Sequence, residues 1–218
     1  MKLNKRIKLL ATLIPEDKRV IDVGCDHALL DIYLTLNNKN KCIASDINEN
    51  ALENAKKNIK KYNLDIETIV SDGLSNIELQ DDDVIVISGM GTNTIQNILN
   101  NAKLKKNTTL IIQTNNNLFE LRRFVVNLDF KIDEELGFID KNKRYTQIRF
   151  VKGKSKYKNI EYCLGPILMK KHDQDTMDYF KSMLKENIRN LDAIPKKYIF
   201  KRIEIKNINK KIKKLLSF

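Results

Sequence analysis

The segment Val20-Ile-Asp-Val-Gly-Cys-Asp-His-Ala-Leu-Leu-Asp-Ile-Tyr-Leu34 constrains the chain most: a β-branched strand meets a turn at Gly24 and passes directly into an apolar helix. Strand, glycine turn and helix in that order form the opening corner of a Rossmann-type unit, where a nucleotide sits against the helix start. The dinucleotide version, G-x-G-x-x-G, needs its second glycine so that the backbone can approach a pyrophosphate. Asp26 stands at that place. A carboxylate there repels a diphosphate and fills the space it needs, whereas S-adenosylmethionine carries a sulfonium, an ammonium and no phosphate. The corner therefore favours S-adenosylmethionine over NAD or FAD, with Asp22, Gly24 and Cys25 as its candidate contacts.

Two more strand ends follow at matching intervals. Lys41-Cys-Ile-Ala-Ser-Asp46 ends about twenty residues after the turn, the position from which an acid holds a ribose diol, and Ile47 adjoins it. Ile66-Glu-Thr-Ile-Val-Ser-Asp72-Gly73 again ends in an acid, which in methyltransferases reads the exocyclic amine of the adenine. A single Asp at a strand end is ordinarily a cap or a turn former. Three, one after each of three successive strands, exceed what capping alone accounts for.

Strands and helices alternate through the first two-thirds. The pattern predicts strands at Val20–Val23, Cys42–Ser45, Glu67–Val70, Val84–Ile87 and Leu110–Ile112, and helices at Ala28–Leu36, Glu49–Tyr62, Thr94–Asn100 and Asn117–Asn127. Short continuous apolar strands in this order make a parallel sheet covered on both faces. Phe130–Leu136 and Arg144–Val151 then alternate without an intervening helix, which predicts an antiparallel hairpin with Gly137–Lys143 as its loop. The fold class is α/β: the seven-stranded, Rossmann-like layout of a class I methyltransferase. Strand four delivers Gly89-Met90-Gly91, a loop that either lies against a ligand or is a plain tight turn. Strand five delivers Asn115, whose amide offers both donor and acceptor to a purine edge. His27 beside Asp26 is either catalytic or merely solvates the helix start. No Asp-Pro-Pro-Tyr motif follows strand four, which argues against methylation of an exocyclic amine.

Charge divides the chain. Residues 1–150 carry 22 Lys and Arg against 21 Asp and Glu, whereas residues 151–218 carry 18 against 7. The basic part suits a polyanionic partner, nucleic acid or an anionic membrane; a lysine-rich solvated face is the alternative. Met177, Phe180, Leu184, Ile188 and Leu191 keep helical spacing, as do Ile205, Ile208, Ile212 and Leu215, and Pro195 separates the two runs. This predicts a coiled-coil-like helical hairpin and two domains, residues 1–152 for S-adenosylmethionine and 153–218 for the partner. Three cysteines without C-x-x-C spacing indicate neither a disulfide framework nor a metal site, and a reducing, cytoplasmic setting is expected. No apolar run approaches the roughly 18 residues of a membrane span. Leu3, Ile7, Leu10 and Ile14 instead recur as one face of an N-terminal amphipathic helix.

Together these residues resemble a known family, the bacterial tRNA (adenine-22-N1)-methyltransferases, or TrmK family. The matches are Asp22-Val-Gly-Cys-Asp-His-Ala28, Ser71-Asp-Gly-Leu74, Gly89-Met-Gly91, Gln113-x-Asn115, Arg122 and Leu164-Gly-Pro166. The departures are Cys25 for the usual Ser, Asp31 where proline is common, Thr92 for a glycine and Thr114 for a proline. The resemblance implies methylation of tRNA at N1 of adenine 22 with S-adenosylmethionine as donor; from their places at the strand ends, Asp26, His27 and Asn115 are the catalytic candidates, Asp26 first among them, and a monomer is expected. Two alternatives stand beside it: a class I methyltransferase for another RNA or a small molecule, and a Rossmann protein that binds RNA without chemistry.

Overall fold

The computed structural model describes residues 3–217. Its strands are β1 (Arg19–Val23), β2 (Lys41–Asp46), β3 (Glu67–Val70), β4 (Val84–Met90), β5 (Thr109–Thr114), β6 (Phe130–Asp140) and β7 (Lys143–Lys152). Its helices are α1 (Lys5–Thr12), α2 (Leu29–Asn38), α3 (Glu49–Lys61), α4 (Thr92–Asn101), α5 (Leu118–Asn127), α6 (Asn159–Leu164), α7 (Gln174–Ala193) and α8 (Ile199–Leu215). The seven strands form one sheet in the order β3-β2-β1-β4-β5-β7-β6. Strands β1 to β5 pair in parallel, and β7 runs antiparallel to β5. This is the class I methyltransferase layout. Val84–Ile87 and Leu110–Ile112 are buried on both faces, as their unbroken apolar sequence requires, while the edge strand β3 is only half-buried. The chain builds outward from β1 in one direction and then returns to add β4 in the other. The crevice for a ligand in such a sheet opens beyond the carboxyl ends of the strands at this reversal, between β1 and β4.

Two expectations need correction. Helix α2 starts at Leu29, because Ala28 takes a left-handed conformation, φ 52°. The hairpin has no seven-residue loop: β6 runs on through Gly137 to Asp140, and only Lys141 and Asn142, both left-handed, make the turn. Gly137 lies within the strand, and a Cβ there would come 3.1 Å from the Tyr179 ring and 3.3 Å from Leu168, which favours glycine. A glycine that admits a neighbour's ring looks, in sequence, like one that makes a bend.

The chain forms two compact units. The first holds residues 3–134 together with Gln147–Lys156, and the second holds Glu135–Thr146 and residues 157–217. The first unit ties α1 down from β7: Gln147 Nε2 donates to the Arg6 carbonyl (2.7 Å) and Arg149 Nη1 to that of Leu13 (3.2 Å). In the second unit Leu164, Leu168, Tyr179, Phe180, Ile212 and Leu215 form the core. The buried Glu135 carboxylate accepts the backbone N–H groups of Ile167 (2.9 Å) and Leu168 (3.2 Å). Thr146 and Tyr179 join hydroxyls at 2.9 Å. Asn187 donates to Asn209 at 3.0 Å, a polar tie between α7 and α8 inside an otherwise apolar seam.

Candidate active site

The turn after β1 is built from alternating left-handed residues: Gly24 (φ 78°), Asp26 (φ 50°) and Ala28 (φ 52°). At Gly24 no side chain fits, since a Cβ would sit 2.5 Å from the Met90 methyl. The N–H groups of Gly24 and Cys25 both reach the Ser45 carbonyl (2.8 and 3.0 Å), and the Ser45 hydroxyl returns to the Asp22 carbonyl (3.1 Å). The turn is thereby fastened to β2, whose last residue is Asp46. One Asp46 oxygen accepts the Asp26 N–H at 3.4 Å and the other accepts the Asn48 N–H at 2.9 Å. Asp46 thus stands at the rim of the turn with lone pairs to spare, and the neighbouring Ile47 is exposed.

A cleft of about 90 Å³ opens between this turn and β4, lined among others by Arg6, Asp22, Gly24, Asp26, His27 and Ser88. Its floor is acidic. Asp22 and Asp31 are both buried, and neither oxygen of Asp31 receives a bond from an N–H or O–H of another residue. Asp22 and Asp31 act on each other as neighbouring buried carboxyls, an arrangement that disfavours ionising both. Burial pushes Asp22 up to about 6, with the neighbouring Asp31 carboxyl and the Arg6 charge holding it from going further. Burial and the Asp22 charge push Asp31 up as well. The same burial raises Cys25 and Cys42, whose thiols stay protonated and unreactive.

A relay of amides joins the ends of β4 and β5. Arg6 Nη1 donates to Gln113 Oε1 at 3.0 Å, the Ser88 hydroxyl reaches the same oxygen at 3.3 Å, and Gln113 Nε2 donates to Asn115 Oδ1 at 3.3 Å. The Asn115 amide then donates to the Gly89 carbonyl. Asn115 is consequently fixed in orientation, with one N–H left for a ligand. Gly89 is left-handed (φ 86°), and Gly91 caps α4. Above the cleft, His27 Nε2 lies 3.7 Å from Asp26 Oδ1, and both side chains are more than half exposed.

Of the predicted residues, Asp22, Gly24, Cys25, Asp26 and His27 line this cleft, Asp46 is bonded to the turn beside it and Asn115 to the Gly89 carbonyl, whereas Asp72 stands apart. Asp72 borders a separate hollow of about 300 Å³ with Leu74, Thr94, Asn97 and Ile98, and Gly73 (φ 59°) packs under Ile98. Sequence reasoning missed Arg6 and Asp31. A carboxylate inside the apolar run Leu29-Leu30-Asp31-Ile32 was the available signal for the second. Among the described residues, no cluster of three His, Cys, Asp or Glu could hold a metal ion.

A family model described as "Methyltransferase domain" matches residues 3–148. A relative from Mycoplasma genitalium, "Putative tRNA methyltransferase MG248", is 34% identical over 84% of this chain and 87% of its own. The Bacillus subtilis "tRNA (adenine(22)-N(1))-methyltransferase" is 32% identical over 66% of this chain and 63% of its own. The solved structure of M. capricolum TrmK in complex with S-adenosyl-homocysteine superposes with a TM-score of 0.81 at 30% identity, covering 100% of this chain and 99% of that one.

Proposed function

The chain belongs to the TrmK family of class I methyltransferases, and from that premise we propose that it methylates N1 of adenine 22 in tRNA with S-adenosylmethionine as donor. The observation that carries the reading is the cleft at the β1–β4 reversal, where Asp46 is bonded to the glycine turn above a buried pair of carboxyls. Its donor and acceptor set fits the cofactor. Two acids and one arginine suit a ligand bearing cationic groups and a single carboxylate, and the free lone pairs of Asp46 suit a diol. Asp22, Gly24, Cys25, Asp46 and Ile47 would hold it, with Gly89-Met90-Gly91 closing the β4 side; Asp72-Gly73, outside this cleft but following Ser71, whose N–H reaches the Asp46 carbonyl at 3.0 Å, would meet the adenine edge where the ligand extends past Asp46. Bound there, S-adenosylmethionine supplies an electrophilic methyl group.

The residues of the chain have modest acid–base work to do. N1 of adenine attacks through its own in-plane lone pair, so catalysis rests mainly on holding the base in line, an effect that reaches about 7 kcal/mol or more at its limit. The methylated ring is cationic. Asp26, exposed beside the cleft, stabilises that charge or takes the proton from the exocyclic nitrogen. His27 and the pre-oriented Asn115 position the base. Adenine 22 must be drawn out of its stack at a cost of about a few kcal/mol, which phosphate contacts from residues 153–218 offset. The reading places the protein in the cytoplasm, as a monomer. Among the described residues, no helix is long and apolar enough to cross a membrane.

Methyl transfer from labelled S-adenosylmethionine to unmodified tRNA, followed by mapping of the modified nucleoside, tests the proposal. Incorporation should appear as 1-methyladenosine and vanish on a transcript with guanine at position 22. Label retained on that transcript, or found elsewhere, would redirect the activity to another site.

A further inference from the structure

Where α7 turns into α8, the second unit leaves large apolar side chains in water. Phe200 is 89% exposed, Ile199 60% and Tyr198 52%, and Ile203, one turn further along α8, is 49%. The turn itself is firmly built. The Tyr198 N–H reaches the Pro195 carbonyl at 3.1 Å, and Arg202 Nη1 donates to the carbonyls of both Leu191 and Ile194, closing the end of α7. The rings are therefore presented by an ordered scaffold. They are also ringed by charge: from Pro195 to Lys206 there are five basic residues against one acid, Glu204, and Lys197 Nζ lies 5.4 Å from the centre of the Tyr198 ring.

Aromatic rings interleaved with lysines match the demands of an unstacked nucleobase, which needs a flat apolar surface for its face and cations for the flanking phosphates. A lipid surface demands something different, an apolar face running the length of a helix. Helix α8 has no such face to offer, because Ile208, Ile212 and Leu215 are already packed in the core of the hairpin. Only its first turns are apolar and free. We propose that the α7–α8 tip is a stacking platform for an unpaired base of the tRNA, with Phe200 and Tyr198 supplying the rings and Lys196, Lys197 and Lys201 the phosphate contacts. The proposal rests on the tRNA reading above and adds the surface by which the RNA is gripped.

The test uses the full chain and unmodified tRNA, with affinity measured across a series of salt concentrations. Phe200→Ala should weaken binding by roughly tenfold or more, the range for loss of one base–aromatic stack, while leaving the salt slope and the melting temperature unchanged. Phe200→Trp should restore affinity, and Lys201→Gln should instead flatten the salt slope by about one. Wild-type affinity in Phe200→Ala would overturn the platform while leaving the methylation assay, and hence the family reading, intact. Failure of the wild-type chain to methylate tRNA at all would instead strike the reading on which the proposal stands. Binding to phosphatidylserine vesicles that depends on Phe200, with tRNA affinity unaffected, would assign the tip to a membrane and overturn the proposal.

Discussion

Asp31 places a second carboxyl in the buried volume already occupied by Asp22, where the nearest offsetting cation is Arg6. The other ionisable groups acting on the pair are Asp46, which adds further negative charge, and the neutral thiols of Cys25 and Cys42. Both carboxyls sit above the usual range of about 3.9 in an unfolded chain, so the folded protein holds protons that the unfolded one releases. Their contribution to stability is fully present below pH of about 4 and is lost as the pH rises through about 6 for Asp22 and beyond for Asp31. The melting temperature should therefore fall between pH 5 and 8. Asp31→Asn, which bonds an ionised Asp22 without a second charge, should flatten that fall and gain about 1–3 kcal/mol at pH 8. Parallel pH profiles for the two proteins would exclude the coupling of the two carboxyls. Asp26 makes a second residue-level prediction. Asp26→Asn should lower kcat by about 10²-fold or more with little change in melting or cofactor affinity, whereas a mere capping residue would leave turnover near normal. Single-turnover methylation with a melting curve on the same variant separates the two. The acids at the strand ends can be read from sequence because each closes a short apolar run. Arg6 cannot, since its guanidinium acquires its partner Gln113 only when residues 107 positions apart are brought together.

Among the elements, β1 to β5 are legible because a strand buried on both faces needs an unbroken apolar stretch, and Val84–Ile87 and Leu110–Ile112 meet that need without ambiguity. The β6–β7 hairpin is half legible: its alternation is plain, but Gly137 reads as a bend until its neighbours Leu168 and Tyr179 are known. Helix α6 escapes notice because six residues hold too few apolar positions to show a period. The true turn, Lys141-Asn142, places both residues at positive φ (47° and 63°), the requirement of a type I′ hairpin, for which Asn-Gly is the favoured pair. Lys141→Asn with Asn142→Gly should raise stability by about 1 kcal/mol, seen as a higher urea midpoint at unchanged m-value. A lower midpoint would show that these side chains do something other than bend the chain.

For the whole molecule, charge is divided between a near-neutral first 150 residues and a basic remainder. If the basic part holds phosphates, tRNA affinity should fall steeply with ionic strength. Replacing Lys206, Lys210 and Lys213 together by Gln should then flatten the slope of log K against log salt by roughly 0.7–0.9 for each phosphate that is no longer neutralised. An unaltered slope would make these lysines a solvated surface. Charge variants serve better here than truncation, because a chain cut after residue 152 would leave Gly137 and Thr146 without Leu168 and Tyr179. That interleaving has a consequence for biosynthesis. Residues 135–146 leave the ribosome well before Tyr179, the side chain that seals them, and at about 5–20 residues per second the wait lasts a few seconds. Throughout that interval the nascent hairpin carries an open apolar flank, which closes only once α7 has emerged.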